Sequence, residues 1–232
     1  MCCDILINGI PLAQYGGKAL LDYTIGETEL TNETFHGINR SNWVNLKTMY
    51  GLRQVTITIL FEGTDLHQAK LARSKFNAAI FGSSELYIPD DGFYYSVYCE
   101  SIGEETLVGI GENSAQVKAQ YTFSGIRHGE KKTVTVAANG NFICHSTMPF
   151  TDCKLTATVS TNRSNYHLGG AVFPTVTAGD VLVFDGINCL ITRNGANAAG
   201  TATWLNFPAL TAGSNTIDCV DTVTVEYYPA YL

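Results

Sequence analysis

The chain has 232 residues, a mass of 25.1 kDa and no run of 18 apolar residues. Charged residues make up 15 %, against a usual level of about 25 %, and the formal net charge is -7. This composition excludes a disordered tail and a helical membrane span. It also argues against nucleic-acid binding, which needs clustered Lys and Arg.

The charge is uneven along the chain. Residues 1–132 hold 11 of the 14 basic and 15 of the 21 acidic groups, leaving 3 and 6 for residues 133–232. The back of the chain is built from Thr, Val, Asn, Gly and Ala instead. This contrast predicts two domains of different style, 1–130 and 131–232. They divide at the charged run Arg127-His128-Gly129-Glu130-Lys131-Lys132. The alternative is a single all-β domain with a neutral face.

In chain order, Asp4–Ile10 alternates and breaks at Asn8-Gly9, a hairpin signal. Ala19–Ile25 reads as a strand. Residues 26–42 are polar and read as a long loop or arm, followed by a short strand at Trp43–Leu46. Arg53–Phe61 alternates polar and β-branched apolar residues, the strongest strand signal in the chain.

One helix follows. Asp65 is its N-cap, with Gln68 completing a capping-box pattern, and Gly82 ends it. Leu66, Ala69, Ala72, Phe76, Ala79 and Ile80 fall at three- and four-residue spacing and form one apolar stripe. Such a stripe predicts a core face rather than a cofactor box.

Strands resume at Glu85–Ile88 and Tyr94–Ser101, around a turn at Pro89-Asp90-Asp91-Gly92. Residues Gly103–Gly111 read as a loop and Ala115–Ser124 as a strand. The front of the chain is therefore an α+β module with one helix. Behind the charged junction come eight short strands: Thr133–Ala138, Asp152–Ser160, Ala171–Thr177, Asp180–Asp185, Cys189–Arg193, Trp204–Phe207, Asn215–Cys219 and Thr222–Tyr228. Gly-containing turns separate them, which predicts a β-sandwich or barrel. The fold class is mainly β.

The seven cysteines are Cys2, Cys3, Cys99, Cys144, Cys153, Cys189 and Cys219. No CxxC pair and no histidine at metal-finger spacing accompany them, so no metal site is expected. The start Met1-Cys2-Cys3-Asp4 lacks the basic and long apolar regions of a secretory signal. Free thiols in a reducing cytoplasm follow, most of them acting as small apolar core groups. The sequons at Asn32 and Asn162 carry little weight without such a signal.

Catalytic patterns are weak. None of His36, His67, His128, His145 and His167 stands in a nucleophile elbow or beside a patterned cysteine. The acid pairs Asp90-Asp91 and Glu104-Glu105 lie in turn-like sequence, where such residues are ordinarily solvated turn formers. No Gly-rich loop precedes a helix, so no phosphate cradle and no cofactor site are expected. Aromatics offer one binding candidate. Trp204 beside Asn206, with Asn194 and Asn197, has the residue types of a sugar platform; the competing reading makes Trp204 and Phe207 ordinary core or rim residues.

Several segments together resemble a known family. At the front these are Ile5-Leu6-Ile7-Asn8-Gly9-Ile10-Pro11-Leu12, Tyr15-Gly16, Arg53 through Gly63, Leu86 through Asp91, and Tyr94-Tyr95-Ser96-Val97-Tyr98. At the back they are Phe173-Pro174-Thr175-Val176, Ala178 through Asp185, Asn194-Gly195, Phe207-Pro208-Ala209-Leu210, Ala212 through Asn215, and Val223 through Pro229. In order and spacing they resemble the distal tail proteins of long, non-contractile-tailed phages. The resemblance implies an N-terminal ring domain, a β-sandwich with one helix, and a galectin-like C-terminal β-sandwich.

It further implies a homohexameric ring at the phage tail tip, made in the bacterial host cytoplasm. That ring would join the tail tube protein to the tail-associated hub protein and anchor receptor-binding or side-fibre proteins. No enzymatic activity is implied. Nothing in the back half looks like an inserted carbohydrate-binding module, so direct sugar binding is not expected from the resemblance. The alternative from the residues alone is a sandwich that contacts host glycans around Trp204. Two departures stand out: Gly37-Ile38-Asn39-Arg40 replaces the family's Gly-Arg-Asp-Gly-like turn, and cysteines are unusually many.

Overall fold

The computed structural model describes residues 5–36 and 43–232. The fold is mainly β, with a single α-helix among the described residues. Two compact units are present. One ends at Arg127 and takes in Leu232; the other spans His128–Tyr231.

The first unit is organised by the strand Arg53–Gly63. Its alternation works as the sequence predicts: Val55, Ile57, Ile59 and Phe61 are all fully buried. Strands Gly17–Ile25 and Ser114–His128 pair antiparallel on its two sides, with Tyr121 opposite Ile57 and Val117 opposite Phe61. Beyond Ser114–His128 the sheet continues through Phe93–Ile102, Ser83–Ile88, Leu6–Ile7 and Ile10–Pro11. The Asn8-Gly9 break is a tight hairpin with both residues at positive φ, and Asn8 Oδ1 accepts the Glu85 N–H at 2.8 Å.

The helix spans Leu66–Ala79. Asp65 caps it by accepting the Gln68 N–H at 2.8 Å. Of the predicted stripe, Ala69, Phe76 and Ile80 are buried, while Leu66 and Ala72 are partly buried against the same core. Phe76 is the anchor. Its ring meets Tyr121 edge-on at 4.9 Å and Phe61 at 5.7 Å. Burial pushes the Tyr121 phenol up to about 12, and its hydroxyl donates to Asn77 on the helix.

Sheet closeness also explains a glycine. A Cβ at Gly125 would lie 2.1 Å from the Ser96 carbonyl oxygen, so no side chain fits between these strands.

The second unit is a β-sandwich. One sheet runs Lys132–Val136, Val223–Tyr227, Phe150–Thr158, Val181–Asp185, Leu190–Arg193 and Ala196–Asn197, with Ala209–Thr211 also on Phe150–Thr158. Two ribbons face it. Asn141–Cys144 pairs with Gly213–Thr216, and Arg163–Leu168 pairs with Ala171–Val176. Leu155, Phe184, Val223 and Val225 from the sheet share one core with Tyr166, Leu168, Phe173 and Ile217.

Three expectations need correction. Residues 26–42 are not simply a loop: Leu30–His36 is a strand paired with Trp43–Tyr50. Gly37–Arg40 lies outside the described residues. Gly103–Gly111 contains the strand Thr106–Gly111, paired with Ser114–Lys118. Trp204–Phe207 is not a strand. Pro208 follows directly and has no N–H for a ladder, so pairing restarts at Ala209–Thr211.

Cys144, Cys153 and Cys219 are buried, Cys99 is half-buried and Cys189 is exposed; none of these five is in a disulfide. Cys2 and Cys3 lie outside the described residues. Desolvation pushes the Cys153 thiol up to about 12, so it packs as a neutral group.

Two predictions follow from this packing. Phe76→Ala is expected to destabilise the protein by about 3–5 kcal/mol in denaturant unfolding, because three rings lose their shared contact. The second concerns Asp180, whose carboxyl is held down to about 2 by the Thr177 N–H, then by Arg193 and Asn194. An unfolded aspartate titrates near about 3.9. Folding therefore favours the charged form, and this contribution is complete above that value and lost as pH falls toward about 2. Asp180→Asn is expected to be the less stable protein at neutral pH, with the gap to the parent closing across that acid window in circular-dichroism melts.

Candidate functional site

The described residues hold no cluster of three or more metal-ligating side chains. The predicted acid pairs are bound into the structure. Asp91 accepts the Tyr95 hydroxyl, and Glu105 takes Arg73 at 3.0 Å and Lys70 at 3.2 Å. His128 is buried against the Tyr228 ring, and His167 pairs with Asp218 at 3.0 Å.

What the structure offers instead is unpaired apolar surface. The hairpin Leu30–His36 with Trp43–Tyr50 makes a two-stranded sheet of its own. Leu30, Phe35, Val44 and Leu46 are each well exposed, Phe35 at 59 %. An isolated two-stranded ribbon is marginal in water, and large exposed apolar groups on it are of the kind found at interaction surfaces. Polar contacts add some order: Thr48 donates across the strands to Asn32 at 2.7 Å, and Asn45 donates along its own strand to Thr48 at 2.8 Å.

The base of the hairpin is tied to the sheet. Gly26 N–H donates to the Gln54 carbonyl at 2.8 Å, and Gly51 N–H donates to the Glu29 carbonyl at 2.7 Å. Between them the buried Arg53 donates to the Gly26 carbonyl at 2.8 Å and reaches Glu27. The arm is thus pinned at its root by a buried guanidinium on the strand Arg53–Gly63.

A second unpaired surface is the strand Thr106–Gly111. It has no charged residue, every residue is exposed, and Ile110 stands 65 % open. Edge strands of this kind are usually guarded by charge or proline, and this one has neither.

In the second unit a groove of about 520 Å³ is lined by Phe150, Leu205, Phe207 and Pro208, with Leu155 and Cys153 at its floor. Phe150 is 70 % exposed and Leu205 87 %.

The predicted sugar platform lies nearby but is divided. Asn206 lines this groove. Trp204 is half-buried, with its ring 4.6 Å from that of Phe207, and packs on the sandwich core. Asn194 accepts the Val181 N–H and donates to Asp180, and Asn197 accepts the Ala199 N–H. Both asparagines thus serve their own turns. Of the hairpin the sequence shows only Trp43–Leu46, because Leu30–His36 is mostly polar, and the edge strand is hidden by Gly109 and Gly111; the pairing reveals both.

No family model matches the chain, and no curated protein sequence does either. Solved structures do. The crystal structure of the SPP1 Dit (gp 19.1) protein is similar over 100 % of both chains, with a TM-score of 0.69 and 11 % identity. The chain has the fold of that Dit protein. SPP1 Dit is a paradigm of the hub adsorption apparatus in Gram-positive-infecting phages. A chain of the phage p2 baseplate in its activated conformation is also similar, with a TM-score of 0.52 and 10 % identity, covering 93 % of this chain and 92 % of that one. The Dit fold therefore persists here on almost wholly different side chains. No helix among the described residues is long and apolar enough to cross a membrane.

The pinned root of the arm is testable. Arg53→Met is expected to leave the fold intact but to speed limited proteolysis between residues 26 and 52 several-fold. Equal cleavage rates in both proteins would show that Arg53 does not hold the hairpin.

Proposed function

We propose that this chain is a structural phage tail-tip protein that assembles as a homohexameric ring. The observation that carries this reading is full-length similarity to SPP1 Dit, across both units rather than one. Residues 1–130 form the ring and residues 131–232 form the outward, galectin-like sandwich. The ring joins the tail tube protein to the tail-associated hub protein. The sandwich anchors receptor-binding or side-fibre proteins. The chain carries structure and no chemistry, and it resides in the virion after synthesis in the host cytoplasm.

Surface physics supports the same reading. Subunit contacts need apolar area that is not already buried within the monomer. The hairpin Leu30–Tyr50 and the edge Thr106–Gly111 supply it in the first unit. The low charge of residues 133–232 suits a protein-docking sandwich, and the groove between Phe150 and Leu205 offers it an apolar concavity.

Light scattering and negative-stain imaging of the purified protein test the assembly. A six-fold ring with a central hole is expected; a strict monomer at high concentration rejects the proposal. Phe35→Asp with Leu46→Asp is expected to abolish the ring while shifting unfolding by no more than about 0.5 kcal/mol, because both side chains are exposed in the monomer.

A further inference from the structure

The second unit carries another depression, richer in polar side chains than the apolar groove. It is an open groove of about 500 Å³ lined by Asn162, Arg163, Ser164, Asn165, His167 and Asp218, with Val220 at one wall. From this lining we infer a saccharide-binding site on the strand Arg163–Leu168. This goes beyond the tail-tip reading and does not depend on it. It also departs from both earlier expectations: the family resemblance led to no sugar site, and the residues alone pointed to Trp204.

The groove is built on a fixed floor. Tyr166 is buried, and its hydroxyl donates to Asp221 at 3.0 Å and lies 3.1 Å from the Cys219 sulfur. Asp221 also accepts from the Ser160 N–H and hydroxyl. The polar side chains above therefore project from a strand whose inner face cannot rotate.

One residue of the strand leaves the ladder while the register on either side is kept. Asn165 has a φ of 51°, while its neighbours Ser164 and Tyr166 pair with Thr175 and Phe173. Its opposite position is Pro174, which has no N–H to offer. Left-handed backbone is unfavourable for a side-chain-bearing residue and mildest for Asn and Asp. Asn165 thereby adds a second amide to the groove wall, beside that of Asn162. Asn162 Oδ1 accepts the Ala178 N–H at 2.8 Å, which fixes that side-chain amide in place.

The mixture of groups selects the ligand class. Arg163 only donates, Asp218 only accepts, and the amides, the hydroxyl and the imidazole do both. An inorganic anion would meet Asp218, and a simple cation would meet Arg163. An apolar ligand would strip water from six polar side chains with nothing in return. A sugar hydroxyl both donates and accepts, so a ring bearing several can satisfy the set at once. Val220, itself exposed, supplies an apolar contact for the C–H face. The pair between His167 and Asp218 is exposed, and such pairs contribute little to stability. Removing it therefore leaves a folded protein to test.

Saturation-transfer difference NMR on the full chain provides the test, since it tolerates a large assembly. The probes are glucose, galactose, N-acetylglucosamine and their β-linked disaccharides. At least one is expected to give transfer, weakened fivefold or more by Arg163→Met and by His167→Ala with Asp218→Asn. Trp204→Ala is expected to leave it unchanged, and excess inorganic phosphate is expected not to compete. Melting curves confirm that each variant is folded. Absence of transfer for every probe overturns the inference. So does transfer that survives the groove variants, that is lost only in Trp204→Ala, or that phosphate displaces. A protein that forms the ring yet binds no saccharide would fail this inference alone, and a sugar-binding monomer would fail the tail-tip reading alone.

Discussion

The strand Arg53–Gly63 is buried on its inner face, paired on both edges and crossed by the helix through Phe61 and Phe76. Moving it by one residue would turn Val55, Ile57, Ile59 and Phe61 outward, so its register is fixed by the core itself. The rest of the first unit inherits that fixity. Arg53, at the start of the same strand, holds the Gly26 carbonyl and so sets where the exposed hairpin leaves the sheet. The exposed hairpin is thereby fastened to a strand whose inner face is fully buried.

This arrangement reinterprets the low charge of the chain. A monomer that exposes Phe35, Leu46, Val108 and Ile110 has few charges to discourage association at those places. Charge is kept where it organises the unit instead. Glu105 binds Lys70 and Arg73 between the helix and the start of the edge strand, and Lys18 meets Glu62 at 2.6 Å across neighbouring strands. Lys131 and Lys154 both meet Glu226 in the second unit, which holds that carboxyl below its usual range. The few ions of the sandwich are thus largely committed to structure.

How much of this was legible in the sequence depends on the range of the interaction involved. Local signals read well. Asp65 caps the helix, Asn8-Gly9 turns the first hairpin, and the alternation from Arg53 to Phe61 is a buried strand; each is decided within a few residues. Non-local pairing reads poorly. Leu30–His36 is polar and irregular by itself, and becomes a strand because Trp43–Tyr50 lies opposite. Thr106–Gly111 contains two glycines and is a strand only because Ser114–Lys118 accepts it. Trp204–Phe207 failed in the other direction: its aromatics suit a strand, but Pro208 ends the ladder and the rings pack sideways.

Binding chemistry was harder still to read, because a groove is made by residues far apart in the chain. His167 and Asp218 are separated by 51 positions and come together only when the ribbon Arg163–Val176 folds over the sandwich core. The same folding gives one unit two concavities of contrasting character. The groove at Phe150 and Leu205 is mainly apolar, while the one at Arg163 and His167 is lined by six polar side chains with apolar area between them. Water is readily displaced from the first and strongly held in the second. A ligand for the polar groove must therefore replace hydrogen bonds rather than bury area. Selection between the two surfaces rests on that difference in solvation and not on their sizes, which are nearly equal.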